Sequence, residues 1–166
     1  GAGDFRLVAD LVDLGADIFA SHEQFRRINA ITPELLKVKA QVLSRIEYFN
    51  DGKIAYVDIT PAELKEYADK HDPADLVMYE MQRTDGVEVA VAMRNYGGES
   101  KKIKVSTRAN MPVAAAACSE FGGGGHDRAA GCQFNDQPLS DAKHKFITVL
   151  TQKIKDYEKA NAHQAA

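Results

Sequence analysis

The sequence predicts an α/β fold: a mixed, partly antiparallel sheet of about five strands flanked by helices, preceded by helical segments and a long connector helix. Three observations predict it. Stretches with apolar residues three and four apart alternate with short runs rich in β-branched residues. Helix-start signals, Thr32-Pro33-Glu34 and Thr60-Pro61-Ala62-Glu63, open two of the helical stretches. Glycine turns at Asp85-Gly86 and Gly97-Gly98 separate strand-like runs.

The elements follow in order. Leu7, Val8, Leu11, Val12 and Leu14 form a helical stripe with Gly15 as its C-cap, and a second helical piece runs through Ile18, Phe19, Phe25 and Ile28. Thr32 caps a long helix whose face (Leu35, Leu36, Val42, Leu43, Ile46, Phe49) runs to about residue 50, where Asn50-Asp51-Gly52 supplies turn chemistry. Lys53 to Ile59 reads as a strand. Thr60 and Glu63 form a capping box for a helix to about Lys70, stopped by His71-Asp72-Pro73. Leu76 to Gln82 and Val87 to Met93 read as a hairpin around Thr84-Asp85-Gly86, and Ile103 to Thr107 as the next strand after a looser turn. Pro112 to Phe121 is helical, with Val113, Ala117 and Phe121 at i, i+4 and i+8 and small alanines between them. A short helical turn after His126, a strand at Cys132 to Phe134 and a helix from Pro138 to Tyr157, with Ser140 as its N-cap, complete the chain; residues 160–166 read as a frayed tail.

Composition narrows function. The net charge of −3 provides no global field for a polyanion, so any polyanion must be met by a local patch. One such patch exists: Lys101 to Arg108 holds four basic residues and no acid. A lysine-lined edge strand that resists aggregation is the plainer reading of the lysines, but it does not account for Arg108 at the strand's exit. The two cysteines, Cys118 and Cys132, have no metal-ligand spacing and suit a reducing, cytoplasmic setting. No signal peptide or membrane span is visible. The chain begins with Gly rather than Met, which points to an excised or processed piece of a longer protein.

The most informative stretch is Phe121-Gly122-Gly123-Gly124-Gly125-His126-Asp127-Arg128-Ala129-Ala130-Gly131. Four glycines in a row lose much backbone freedom on folding and pack no side chain. They suggest a backbone that approaches something closely, and an anion gripped by N–H groups at a helix start is the first candidate. A flexible linker is the alternative. Arg108, joined by Arg94 from the neighbouring strand, offers guanidinium contacts to phosphate. Ser106 lies two residues before Arg108 and so on the same strand face. His126 either donates to a phosphate oxygen, stacks on a base, or holds the loop backbone; Arg94 is either a phosphate contact or a surface strand residue. No nucleophile elbow, catalytic triad or metal cluster is apparent.

The segment from Phe121 to Gly131 resembles the signature of the DHH-associated C-terminal domain, in the form F-G-G-G-G-H-x-x-A-A-G of the oligoribonuclease and pAp-phosphatase branch. Ile103-Lys104-Val105-Ser106-Thr107-Arg108-Ala109 is similar to the I-K-x-S-x-R-S segment of that family, with Ala109 in place of its second serine. Gly15-Ala16-Asp17, Arg45 to Phe49 and Ile54 to Val57 extend the resemblance over nearly the whole chain. It implies that residues 1–30 end a DHH catalytic domain, 31–50 form a connector helix, 51–159 form the C-terminal substrate-binding domain, and 160–166 are a disordered tail. It further implies a parent enzyme that uses two manganese ions, held by Asp and His of its N-terminal domain, to hydrolyse short oligoribonucleotides, dinucleotides or pAp.

The Asp-His-His motif of that domain lies outside these residues. The chain is therefore expected to hold substrate through Arg94, Ser106, Arg108, Gly123, Gly124, Gly125 and His126, to bind no metal itself and to hydrolyse nothing alone. A cyclic-dinucleotide phosphodiesterase fragment is the alternative within the family. A nucleic-acid-binding module like that of alanyl-tRNA synthetases is the alternative outside it, and the acidic net charge opposes that reading. Besides substrate and the catalytic domain, a second copy of the chain is a candidate partner, through a helix or strand edge.

Overall fold

The computed structural model describes residues 1–28, 30–67, 71–98 and 101–162. By contacts the chain divides into a unit Gly1–Leu36 and a unit Lys37–Ala166. The first holds α1 (Ala2–Asp13) and α2 (Ile18–Ile28), neither with a buried residue. Gly15, at φ 94°, closes α1: its N–H donates to the Val12 carbonyl and that of Ala16 to Leu11, a Schellman arrangement. Asp17 opens α2 by accepting the Ala20 N–H at 2.9 Å.

Helix α3 (Pro33–Leu43) begins where Thr32 accepts the Leu35 N–H. It ends earlier than the apolar pattern predicts. Residues Glu47–Phe49 leave the helix and form β1, which pairs antiparallel with β2 (Ile54–Ile59). Asn50, Asp51 and Gly52 make the hairpin turn between them at φ 52°, 54° and 86°. The turn chemistry was legible, but it joins two strands instead of ending a helix.

A crossover through α4 (Pro61–Tyr67) and α5 (Met78–Arg83) leads to β3 (Val89–Gly97), which runs parallel to β2. The expected strand at Leu76 to Gln82 is thus not formed. Met78 and Met81 are buried at helical spacing, and Glu80, Gln82 and Arg83 are good helix formers. Residues 68–70, the expected end of α4, lie outside the described residues, as do Glu99 and Ser100 in the next turn.

Strand β4 (Lys102–Ala109) pairs antiparallel with β3 and with β6 (Ala129–Phe134). Between them in sequence lie α6 (Ala114–Ser119) and the short edge strand β5 (Gly124–His126). Asp127 and Arg128 form the tight turn of a β5–β6 hairpin where a helical turn was expected. The result is an open, mixed six-stranded sheet in the order β1-β2-β3-β4-β6-β5. Helix α7 (Leu139–Ala162) closes the chain and continues through residues 160–162, read in the sequence as tail; residues 163–166 are outside the described set.

The two sheet faces differ. One is covered by α6 and α7: Ile54, Tyr56, Val91, Met93, Val105 and Phe134 pack on Phe146, Leu150 and Ile154. On the other, α4 and α5 lie over β3, where Ala90 and Ala92 are fully buried. Farther across this second face, Lys104, Arg108 and Gln133 stay exposed.

Candidate functional site

The uncovered half of the second face carries the site. Along β4, burial alternates residue by residue: Ile103, Val105, Thr107 and Ala109 are buried, while Lys104, Ser106 and Arg108 point the other way. Register places Arg94 of β3 opposite Lys104, Ala92 opposite Ser106, and Gly131 of β6 on the far side of Ser106. The lack of a side chain at Gly131 leaves room there; a Cβ would come within 2.9 Å of the Val105 carbonyl oxygen.

Arg94 is the most ordered cation of the face. It is only 7% exposed. Its Nη1 donates to Ser106 Oγ at 2.7 Å, its Nε to Asp72 Oδ2 at 2.5 Å, and its Nη2 reaches Asp75 Oδ1 at 3.2 Å. Asp72 is itself fixed, accepting the Ala74 N–H at 2.9 Å. Two carboxylates therefore offset the guanidinium charge, and Arg94 orients Ser106 as much as it offers charge outward. Lys104 differs: among the described residues no carboxylate pairs with it, and its ammonium sits 5.5 Å from the centre of the Tyr96 ring.

The glycines play roles that the sequence did not separate. The N–H groups of Gly122 and Gly123 donate to the Ser119 and Cys118 carbonyls, both at 3.0 Å. They terminate α6, with Gly122 at φ 69°. A Cβ on Gly123 would lie 2.3 Å from the Gly131 oxygen and 2.5 Å from Cys132 Cβ; one on Gly125 would lie 2.6 Å from Ala129 O. The close approach inferred from the sequence is thus made to β6 of the same chain. Gly124 faces open space. Phe121 anchors the run, its ring 4.7 Å from Phe134 and 5.7 Å from Phe146.

A cleft of about 500 Å³ collects Arg94, Lys104, Ser106, Gly122 and Gly123, with Asp72 and Tyr96 on its wall. Arg108 is not among its lining residues. It borders a separate hollow of about 240 Å³ with Asp75, Tyr79 and Gln82, and donates to the Thr107 carbonyl at 3.0 Å. Gly124, Gly125 and His126 lie on the exposed edge strand beyond the cleft, and His126 ends that strand instead of starting a helix. Asp72, Asp75 and Tyr96 were not identified from the sequence. Only the basic run pointed to Lys104, although its two-residue offset from Ser106 already placed both on one face. A larger hollow of about 600 Å³ lies along α7, between Phe49, Asn50, Lys143 and Lys155. Lys143 there is already paired with Glu47 at 2.6 Å.

Two buried free thiols, Cys118 and Cys132, lie close to each other, and Thr107 Oγ1 lies 3.9 Å from Cys118 Sγ. The neighbouring thiol and Thr107 together hold Cys118 below its ordinary value, while the same neighbour and burial push Cys132 up. Among the described residues no group of three or more His, Cys, Asp or Glu side chains is placed to hold a metal, so the residues present do not fit a manganese site. No described helix is long and apolar enough to cross a membrane.

Fold and cleft together define an α/β domain with an open cleft on the uncovered half of a mixed sheet. The chain belongs to the DHHA1 domain family, whose model matches residues 51–156. No curated protein matches it. Among solved structures, an exopolyphosphatase-related protein from Bacteroides fragilis aligns with a TM-score of 0.76 at 21% identity, over 92% of this chain and 44% of that one. The pGpG-specific phosphodiesterase PggH from Vibrio cholerae aligns with a TM-score of 0.46 at 16% identity, over 73% of this chain and 39% of that one. The chain thus spans less than half the length of either protein. The first likeness shows a shared fold.

Proposed function

We propose that this chain is the substrate-binding part of a DHH-family phosphoesterase, and that its cleft holds a phosphate group of pAp, a linear dinucleotide or a short oligoribonucleotide. One observation carries the proposal: within the family-matched residues, Lys104, which no carboxylate pairs among the described residues, stands beside an arginine-oriented serine in a cleft bordered by the glycine segment. Lys104 supplies the charge. Ser106 Oγ, which already accepts from Arg94, can turn its proton toward a phosphate oxygen. Arg108, Gly124, Gly125 and His126, outside the cleft, are assigned to the parts of the ligand that extend beyond it. Residues 1–30 are taken as the end of a catalytic domain, and that domain as the holder of the manganese ions. Manganese held in that domain would supply an activated water, and no hydrolytic step is assigned to this chain.

Calorimetric titration with pAp, a linear dinucleotide and a cyclic dinucleotide tests the proposal. The expected result is saturable binding of the first two, weakened about tenfold or more by Lys104→Glu, which reverses a charge at the phosphate. Tightest binding of the cyclic dinucleotide would move the assignment to a cyclic-dinucleotide enzyme. Manganese-dependent hydrolysis by the purified chain, retained in Arg108→Ala, would refute the division of labour.

A further inference from the structure

We infer that the hollow next to the phosphate cleft is a nucleobase subsite, with Tyr96 as its stacking platform; the inference rests on the phosphate-binding reading above. The two hollows share two lining residues, Asp72 and Tyr96. The second holds about 290 Å³, near the lower end of small-molecule sites at about 300 Å³. Among the described residues, Pro61, Leu64 and Lys65 line it as well. One compartment is therefore cationic and the other mostly hydrocarbon and ring, with a single aromatic wall between them. A nucleotide has that same division, an anionic phosphate and a flat base one sugar apart.

The walls are fixed by the fold. Pro61 is the first residue of α4, whose start is held by Thr60 and Glu63: Glu63 Oε2 accepts the Thr60 N–H at 2.9 Å, and Arg45 binds both Glu63 oxygens at 2.7 Å. Gly97, at the end of β3, packs so closely that an added Cβ would lie 3.3 Å from Pro61 Cγ. Tyr96 stands at the end of β3, at the register irregularity between Asn95 and Gly97, next to the glycine that packs on Pro61. The residue is 43% exposed, although its ring carries the ammonium groups of Lys102 and Lys104 at 5.8 and 5.5 Å. An exposed, positioned ring flanked by cations is suited to a base whose phosphate is held next door.

The test compares adenosine 5′-monophosphate with ribose 5-phosphate on the full chain, titrated against wild type, Tyr96→Ala, Tyr96→Phe and Lys104→Ala. Tyr96→Ala is expected to weaken the base-bearing ligand about tenfold and to leave ribose 5-phosphate unchanged, while Tyr96→Phe leaves both unchanged. Equal loss of both ligands in Tyr96→Ala, or loss of neither, overturns the base subsite. Ribose 5-phosphate binding that is indifferent to Lys104→Ala overturns the phosphate reading instead, whatever the tyrosine variants show. Failure of wild type to bind either ligand overturns both.

Discussion

The two faces of the sheet share one backbone and serve different ends. On the covered face, Val105 and Thr107 are buried on the side of α6 and α7; on the other, Lys104, Ser106 and Arg108, each one residue away, stand beside or outside the cover of α4 and α5. A single period-two alternation in β4 thus divides the packed core from the proposed binding face. The lesson is that α5 reaches β4 only at its Arg108 end, and the strip of sheet around Lys104, Ser106 and Gly131 is left to form the cleft.

The strongest way to break this comparison is to exchange insults between the faces. Phe146→Ala removes a fully buried ring on the covered face and is expected to cost about 4 kcal/mol in denaturant unfolding. Lys104→Ala, on the open face, is expected to change stability by no more than about 0.5 kcal/mol. Comparable losses in the two variants would contradict the division.

The glycine segment sharpens it at a smaller scale. Gly123→Ala drives a methyl into the backbone of β6 and is expected to cost about 2 kcal/mol, whereas Gly124→Ala meets nothing and is expected to cost only a few tenths, that is about 0.3 kcal/mol. Thermal melts of the two variants check this; equal melting temperatures would show that close packing on β6 is not what the run serves.

The smallest effect is a pH dependence at the start of α4. Burial pushes the Glu63 carboxyl up, but hydrogen bonds from Arg45 and from the Thr60 backbone and hydroxyl outweigh it and hold the group below its ordinary value. A depressed carboxylate contributes stability that is present above its unfolded value of about 4.3 and is lost as pH falls through the lower folded value. Unfolding midpoints measured from pH 7 to pH 3 are therefore expected to fall more steeply for wild type than for Arg45→Met. Parallel curves would remove Arg45 from this account.

The sequence made the local features legible. The capping box at Thr60 and Glu63 forms as written, and the β4 alternation already put Ser106 and Arg108 on one side. What it hid is non-local or weakly encoded. Asp72 and Asp75 reach Arg94 across 22 and 19 residues, and no spacing announces such a pair. β5 is Gly-Gly-His, which has little intrinsic strand preference and forms only because β6 lies beside it. Leu76 to Gln82 is a short apolar run whose period fits either element, and its burial under helical contacts decided it. Arg108 shares a strand face with Ser106, yet Asp75 and the α5 residues beside it give it a hollow of its own.

Mapping a bound phosphate ligand onto the chain tests the central claim most directly. In a titration of ¹⁵N-labelled protein with pAp, the backbone signals of Lys104, Ser106, Gly122, Gly123 and Gly131 are expected to shift most, with α7 unaffected. Shifts concentrated instead on Lys143, Thr148, Thr151 and Lys155, along the larger hollow, would place the ligand on the other side of the sheet and contradict the account.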